Sequence, residues 1–198
     1  MILKLLYYIF IILFFLLSLP LGLIITMSIA LTSGFPVIFR QKRTGKDGKT
    51  FTMYKFRTMM PNAEAQKTKY VHLNVAGAPA FKIPDDPRYT PIGRFLSHTG
   101  LDELPQLFNV LKGEMSLIGP RPLPVSEAAK LKSWQKEREK IRPGIISPWI
   151  LNGYHKNTFD DWMTSDIEYT RNKSLKTDIN IGVKTIRFLF GLLINEII

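Results

Sequence analysis

The chain of 198 residues contains no cysteine, which excludes a disulfide framework, a thiolate nucleophile and a zinc site with cysteine ligands. Histidine is also scarce, and the three residues, His72, His98 and His155, lack the HxxxH-type spacing of a helical metal site. We therefore interpret the histidines as ordinary surface or core residues. The absence of cysteine is compatible with a domain that faces the reducing cytoplasm.

Acidic residues are in the minority, because 16 Asp and Glu stand against 27 Lys and Arg and give a formal charge of +11. Such a surplus implies an anionic partner: nucleic acid, an anionic membrane surface or a phosphate-rich substrate. We do not expect nucleic acid, because nothing in the sequence resembles a recognition helix or a basic motif interleaved with aromatic residues.

Charge is absent from one long apolar segment, which runs from Leu5 to Leu31. About 20 apolar residues suffice for a helix to cross a bilayer. A signal peptide is the alternative, but the segment is too long for a typical h-region and has no early cleavage site. We interpret residues 1–33 as a membrane helix and residues 34–198 as one domain. The basic residues after the helix place that domain in the cytoplasm by the positive-inside rule.

A proline interrupts the apolar segment near its middle. Pro20 cannot donate to the carbonyl of Leu16, so the helix must bend or break there, and the hydroxyl of Ser18 can donate to the carbonyl of Phe14. Each half, of about 11 to 14 residues, is shorter than a bilayer core of about 30 Å. Two interpretations stay open, with Ser18 and Pro20 as the hinge: a kinked spanning helix, or a re-entrant helix that returns to the same face.

The remaining sequence predicts an α+β fold: a small, mainly helical domain with one short β-hairpin. Strands are predicted at Val37–Phe39 and Phe51–Phe56, joined by a tight turn with Gly45 and Gly48. Residues 61–90 are polar and proline-containing, which predicts a loop with at most one short helical piece. Helices are predicted over residues 91–100, 104–111, 126–138, 160–172 and 179–198. The last of these has the composition of a helix that packs on the domain or lies at the membrane interface.

Two adjacent carboxylates, Asp102 and Glu103, stand ahead of the helix predicted over residues 104–111. Anions are stabilised at a helix N-terminus, and two hard oxygen ligands suit Mg²⁺. A carboxylate can also attack phosphorus and form an acyl phosphate. The structural alternative is plain N-capping, which is common in helices without catalytic function.

Basic residues in two other motifs favour the chemical interpretation. In "YKFRTM", Lys55 and Arg57 alternate along a strand and therefore share one face. In "GPRP", Arg121 lies between two prolines and could clamp a phosphate through both guanidinium nitrogens. Together with a membrane helix, these cations and carboxylates predict phosphoryl transfer at a membrane surface.

The motifs "YKFRTM", "DELPQLFNVLKGEMSLIGPRP" and "RPGI", in this order after an apolar helix, closely resemble the bacterial sugar transferase family. These are monotopic phosphoglycosyl transferases, which begin glycan assembly on polyprenol phosphate. The resemblance extends from about Leu5 to about Lys184 and does not cover residues 61–84. It implies a re-entrant membrane helix with both termini in the cytoplasm, at the inner membrane of a bacterium.

The resemblance also implies a reaction and its residues. A sugar-1-phosphate would pass from a UDP-sugar to polyprenol (undecaprenyl) phosphate, with release of UMP. Asp102 would be the nucleophile that forms an aspartyl-phosphosugar intermediate and contacts Mg²⁺, and Glu103 would assist metal binding or proton handling. The residues predicted to bind substrate phosphates are Lys55, Arg57, Arg121 and Arg142. Membrane lipids are the other expected partners, and a homodimer is left open.

The chain departs from the family pattern at three positions. Leu19 precedes Pro20 where family members often carry serine, Ser97 stands where an arginine is common, and Tyr154 replaces another usual arginine. Compensation by His98 or nearby lysines, or a different donor or acceptor, would account for the two missing cations. The alternative function is a catalytically degenerate, lipid-binding scaffold of a glycan assembly complex.

Overall fold

The computed structural model describes residues 2–151 and 158–197, which are mainly helical and carry two small sheets. The predicted α+β class and the apolar N-terminal helix are confirmed. The helices are α1 Ile2–Ser33, α2 Pro91–Thr99, α3 Gln106–Leu111, α4 Val125–Ala128, α5 Pro148–Leu151, α6 Phe159–Arg171 and α7 Leu175–Ile197. The strands are β1 Ile38–Thr44, β2 Thr50–Phe56, β3 Ser116–Ile118 and β4 Gly144–Ile146.

Helix α1 passes through Pro20 as one element and is long and apolar enough to cross a membrane, by length and composition. Within its segment Leu5–Ser33, an 18-residue window has a mean hydropathy of 2.8 and is 11% buried. Ser18 donates its hydroxyl to the carbonyl of Phe15 at 2.7 Å. The predicted acceptor was Phe14, and the acceptor one residue closer is the other partner that a helical serine reaches.

Both ends of α1 contact the domain. Near its start, the backbone N–H of Leu117 donates to the hydroxyl of Tyr7 at 3.1 Å, and Ile11 is fully buried. Near its end, Ile25 and Ile29 are buried. Between residues 12 and 24, every side chain is exposed or half-buried. The helix is therefore held to the domain at two separated points.

The two contacts of α1 use two different hydrophobic clusters. One cluster surrounds the N-terminal contact and consists of Ile11, Phe51, Met53, Val110 and Met115. The other surrounds the C-terminal contact and consists of Ile25, Ile29, Val37, Phe56 and Leu96. Strand β2 contributes to both clusters, so the β-hairpin lies between them.

Strands β1 and β2 form the predicted antiparallel hairpin, in register from Ile38 opposite Phe56 to Thr44 opposite Thr50. Strand β1 is longer than predicted, because pairing with β2 extends it through its charged residues. The turn contains Asp47 and Gly48, both with a positive φ. This positive φ explains the glycine predicted at the turn.

Helix α2 leads the chain toward the carboxylate pair. It begins after Thr90, whose hydroxyl accepts from the backbone N–H of Gly93 at 3.0 Å, and it ends as predicted at Gly100, which has a φ of 72°. A Cβ on Gly93 would lie 1.9 Å from the carbonyl oxygen of Thr58. Only glycine therefore allows α2 to pack this closely against the segment that follows β2.

The second sheet, formed by the parallel strands β3 and β4, was not predicted. It pairs Ser116 with Gly144 and Ile118 with Ile146, and its two partners lie far apart in the chain. Gly119 follows β3 and packs against β4, because a Cβ on Gly144 would lie 2.1 Å from the nitrogen of Gly119. This contact fixes the start of the loop that carries Arg121.

Three helix predictions need correction. The helix predicted over residues 126–138 is divided into α4 and a 3-10 segment, Ser133–Lys140, because the backbone of Lys132 is extended directly before the second segment. Helix α3 begins two residues later than predicted and α7 four residues earlier. Helix α6 matches its prediction closely and begins with a capping box between Thr158 and Asp161. The loop over residues 61–90 contains one 3-10 segment, Lys67–Leu73.

Candidate active site

The carboxylates of Asp102 and Glu103 lie in a 3-10 turn between α2 and α3. The ammonium of Lys55 donates to Asp102 Oδ2 at 3.1 Å and to Glu103 Oε1 at 2.6 Å. Arg121 Nη1 also donates to Glu103 Oε1, at 3.1 Å. The structure thus brings together four of the predicted site residues. Asp102 and Glu103 are adjacent in the turn, Lys55 comes from β2, and Arg121 comes from the loop after β3.

The capping alternative for the carboxylate pair does not fit this geometry. Helix α3 begins at Gln106, and its N-cap residue is Pro105, which forms no side-chain cap bond. The carboxylates of Asp102 and Glu103 are instead bonded to cations, and Asp102 is only 5% exposed. The pair is therefore a buried ion cluster.

Lys55 reaches the carboxylates because of strand alternation. It occupies the same face of β2 as Phe51 and Met53, which are both buried in the core. Its side chain is consequently only 14% exposed and directs its ammonium into the domain. A lysine in this position needs anionic partners, and the turn at Asp102 and Glu103 supplies them.

Asn109 holds α3 against β2. Its side chain donates to the carbonyl of Thr52 at 2.7 Å and to the carboxylate of Glu114 at 2.7 Å, and it accepts from the backbone N–H of Tyr54 at 3.2 Å. Asn109 is fully buried, so these bonds satisfy its amide. We did not predict this role, although a polar residue among the apolar residues of "QLFNVL" is a usable signal.

The loop that carries Arg121 is braced by a buried ion pair. Arg138 donates to the backbone carbonyl of Arg121 at 2.5 Å and to Asp166 Oδ2 through both Nε and Nη2, at 3.0 and 2.5 Å. The hydroxyl of Ser147 donates to the other oxygen of Asp166 at 3.4 Å. Arg43 donates to the carbonyl of Pro122 at 2.9 Å. These partners are distant in sequence, and no local pattern indicates them.

We call Asp102 and Glu103 the dyad. Burial and charge shift the pKa values of its two carboxyl groups in opposite directions. Burial raises the pKa of Asp102; the negative charge of Glu103 raises it further, while Lys55 opposes the shift. Burial acts on Glu103 in the same direction, but Lys55 and Arg121 together hold its pKa below the ordinary value. Glu103 is thus the firmly ionised member, and Asp102 is the more basic one.

The dyad offers two carboxylates to a divalent cation. No group of three or more His, Cys, Asp or Glu with metal-binding geometry occurs within residues 2–151 and 158–197. Mg²⁺ commonly takes one or two carboxylates and completes its shell with phosphate oxygens and water. The donor set of Asp102 and Glu103 fits that pattern, whereas it would not make a closed protein cage.

Arg57 and Arg142 have partners other than Asp102 and Glu103 among the contacts of the described residues. The guanidinium of Arg57 donates to the carbonyls of Ser33 and Gly34, each at 2.6 Å, and so caps the end of α1. Arg142 is exposed, and its guanidinium lies near Gly113 beyond the end of α3. The predicted contact of Arg57 and Arg142 with substrate phosphates stays a prediction.

Two departures from the family pattern have different outcomes. The hydroxyl of Ser97 is 2.8 Å from that of Tyr89. Two neutral hydroxyl groups therefore meet at the position where an arginine is common in the family. Nε2 of His98, the suggested substitute, lies 3.3 Å from Oδ1 of Asp85. Tyr154 lies outside the described residues.

Replacing Arg138 by methionine should lower the free energy of unfolding by about 3–5 kcal/mol, because it leaves the buried carboxylate of Asp166 without its cation. Denaturant unfolding in mild detergent measures this change. The matched control is Arg171→Met, which removes an arginine that bonds Glu137 at the same 2.5 Å but is 63% exposed. Solvent screens that pair, so its loss should change little. Equal losses for both variants would contradict the bracing role of Arg138.

Comparison with known proteins agrees with the sequence motifs. The family model for bacterial sugar transferases matches residues 1–191. The chain is 44% identical over 156 residues to the galactosyl transferase CpsE of Streptococcus agalactiae serotype III, which covers 78% of this chain and 34% of that protein. It is 40% identical over 156 residues to the undecaprenyl-phosphate galactose phosphotransferase of Salmonella typhimurium, covering 77% and 33%.

A third relative is the UDP-glucose:undecaprenyl-phosphate glucose-1-phosphate transferase of Klebsiella pneumoniae. The identity is 37% over 175 residues, covering 84% of this chain and 35% of that protein. The chain therefore spans about a third of the length of these three relatives. Since the family model matches nearly the whole chain, the protein belongs to the bacterial sugar transferase family.

Proposed function

We propose that this protein is a phosphoglycosyl transferase that moves a sugar-1-phosphate from a UDP-sugar to undecaprenyl phosphate and releases UMP. The observation that carries the proposal is the buried dyad of Asp102 and Glu103, bonded to Lys55 and Arg121. Relatives named for undecaprenyl-phosphate sugar transfer support the donor and acceptor classes. This would be the first membrane step of glycan assembly.

In the first half-reaction, the carboxylate of Asp102 attacks the β-phosphorus of the UDP-sugar. A new bond forms between a carboxylate oxygen and phosphorus, the bond from phosphorus to the bridging oxygen breaks, and UMP leaves with that electron pair. In the second, a phosphate oxygen of undecaprenyl phosphate attacks the same phosphorus and releases the carboxylate. The product is undecaprenyl diphosphate sugar.

The surrounding charges suit this sequence of steps. The high basicity of Asp102 favours its use as the nucleophile, while Glu103 holds the Lys55 ammonium and the Arg121 guanidinium in place. These cations can offset the negative charge of the diphosphate as it reacts. Mg²⁺, which Asp102 and Glu103 would hold together with substrate phosphates, would neutralise further phosphate charge.

We also propose that α1 is re-entrant and that the protein is monotopic. Tyr7 and Ile29 lie near opposite ends of α1, yet both contact the same domain. A helix that crossed the bilayer would carry one of these ends about 30 Å away, to the far face. The unburied segment over residues 12–24 is the part that would enter the lipid. The basic residues after α1 favour the cytoplasmic face of the inner membrane.

Helix α7 has the surface of an interfacial helix. Leu175, Ile179, Val183 and Ile186 recur every three or four residues and are 65%, 58%, 45% and 58% exposed. Residues Lys176, Lys184 and Arg187 are exposed beside this apolar stripe. An amphipathic helix with basic flanks binds an anionic lipid surface, so we propose that α7 lies on the membrane.

Asp102→Asn should abolish UMP release from a UDP-sugar in the presence of undecaprenyl phosphate and Mg²⁺, because an amide cannot serve as the nucleophile. Intact mass spectrometry of the unaltered protein with the UDP-sugar alone should show a phosphosugar adduct, which Asp102→Asn should lack. Asp47→Asn, in the exposed hairpin turn, is the control and should keep full activity. The UDP-sugar is chosen by screening a panel for UMP release.

Full turnover of the Asp102→Asn variant would contradict the covalent mechanism. An absence of UMP release from every UDP-sugar, with undecaprenyl phosphate still bound, would instead favour the lipid-binding scaffold.

The pH profile should report the Asp102 carboxyl group. Because its pKa is raised, kcat/KM should fall on acidification at a pH above 3.8, the ordinary value for aspartate. Glu103→Gln removes the neighbouring negative charge, lowers the pKa of Asp102 and should shift this acid limb to lower pH, with a reduced kcat. Glu168→Gln, an exposed change elsewhere, should leave the limb in place. An unshifted limb in Glu103→Gln would contradict the assignment.

The topology of α1 can be measured by placing a cysteine label before Leu5 and another after Ser33 in inside-out and right-side-out vesicles. A re-entrant helix predicts that both labels react with an impermeant reagent from the cytoplasmic side. The natural sequence has no cysteine, so the background is low. Labels that react from opposite sides would establish a spanning helix.

A further inference from the structure

Three large apolar side chains are exposed where the chain passes from α1 into β1. Leu31 near the end of α1, Phe35 after the helix and Phe39 in β1 are 84%, 80% and 44% exposed. They follow one another at intervals of four residues, from the long apolar helix to the hairpin, and we call them the apolar path. Exposed apolar side chains that accumulate in one region mark a surface for an apolar partner.

The backbone of this segment is fixed on both sides of Phe35 by Arg57. The guanidinium of Arg57 donates to the carbonyls of Ser33 and Gly34, each at 2.6 Å, and its backbone N–H donates to the carbonyl of Val37 at 2.8 Å. Val37 itself is buried in the cluster that surrounds the end of α1. The exposure of Phe35 therefore belongs to a firmly held stretch of backbone.

Phe39 lies beside the lysine that holds the dyad. In the register of the hairpin, Phe39 is directly opposite Lys55. Side chains that are directly opposite in an antiparallel pair leave the same face, with Cβ atoms about 4.5–5.5 Å apart. The ammonium of Lys55 bonds to both Asp102 and Glu103. The last side chain of the apolar path thus neighbours the strand position from which a cation reaches the dyad.

We propose that Phe39 is a further acceptor-binding residue, whose ring contacts the isoprenoid chain of undecaprenyl phosphate next to its phosphate, and that Leu31 and Phe35 lead the chain there from the lipid. This inference rests on the proposed function. The hydrocarbon chain leaves the lipid without a large cost only along an apolar surface. A UDP-sugar is polar and needs hydrogen-bonding partners, which none of these three side chains provides.

The position of Phe39 suits an acceptor that reacts at Asp102. In the second half-reaction, the phosphate of undecaprenyl phosphate must reach phosphorus bound to Asp102, whose carboxylate is 3.1 Å from the ammonium of Lys55. The isoprenoid chain begins at that phosphate, so its first units pass the strand neighbour of Lys55, which is Phe39. The ring contributes to acceptor binding and has no part in the first half-reaction.

The test compares acceptor binding with donor chemistry, using the full chain in detergent. Native mass spectrometry measures the affinity for undecaprenyl phosphate, and intact mass spectrometry measures formation of the phosphosugar adduct from the UDP-sugar alone. Phe39→Ala should weaken undecaprenyl phosphate binding about tenfold, the effect of losing the burial of one large apolar side chain, and should leave the rate of adduct formation unchanged. Phe39→Leu keeps apolar bulk and should bind within about threefold of the unaltered protein.

The matched control is Trp134→Ala, in the 3-10 segment Ser133–Lys140. It removes an aromatic side chain that is also 44% exposed, and it should match the unaltered protein in both measurements. Thermal unfolding of each variant identifies any loss of fold, and sedimentation with phosphatidylglycerol vesicles reports general lipid binding, which Phe39→Ala should keep.

Binding of undecaprenyl phosphate to Phe39→Ala within twofold of the unaltered protein would overturn the proposal, as would an equal loss in Trp134→Ala. Slower adduct formation in Phe39→Ala, or its failure to sediment with vesicles, would also overturn it, because the ring would then support the dyad or act as a general lipid anchor. Failure of the proposed function is distinguishable: without a phosphosugar adduct on the unaltered protein the covalent mechanism fails, while Phe39-dependent binding of undecaprenyl phosphate would stand.

Discussion

The ammonium of Lys55, shared between the carboxylates of Asp102 and Glu103, is the interaction on which the arrangement of the domain depends. Charges with this little contact with water are tolerable only when each has a partner. The β-hairpin must therefore face the turn between α2 and α3, and the loop after β3 must approach from a third side with Arg121. The two small sheets and the packing of α2 serve to bring these three segments together.

Stability does not explain why so many charges are gathered here. Buried ion pairs seldom stabilise a protein more than well-packed apolar residues would, since desolvation consumes most of the attraction. The chain nevertheless buries a second pair, Arg138 and Asp166, to hold the backbone of Arg121. Charges that are fixed before the substrate arrives need no reorganisation during the reaction, which is the advantage expected of a phosphoryl-transfer site.

The sequence predicted features that depend on a short segment of the chain. It missed contacts between residues that lie far apart in the sequence. The hairpin turn, the end of α2 at Gly100 and the grouping of Lys55, Arg121 and the dyad were accessible from motifs. The role of Arg57 was not, because alternation showed only that it shares a face with Lys55. Its partners, the carbonyls at the end of α1, are known only from the folded chain. The β3–β4 pairing likewise joins segments without a common local pattern.

Lys55 and Arg57 together link the membrane helix to the dyad. They are two residues apart, Lys55 near the end of β2 and Arg57 directly after it, which separates their backbones by about 7 Å. Lys55 bonds to Asp102 and Glu103, while Arg57 bonds to the last carbonyls of α1. In the proposed monotopic arrangement, this short connection would set the height of Asp102, the proposed nucleophile, above the lipid. The phosphate of the proposed lipid-bound acceptor would be confined to that same height, so the strand that supplies a cation to the dyad would also position the dyad for that acceptor.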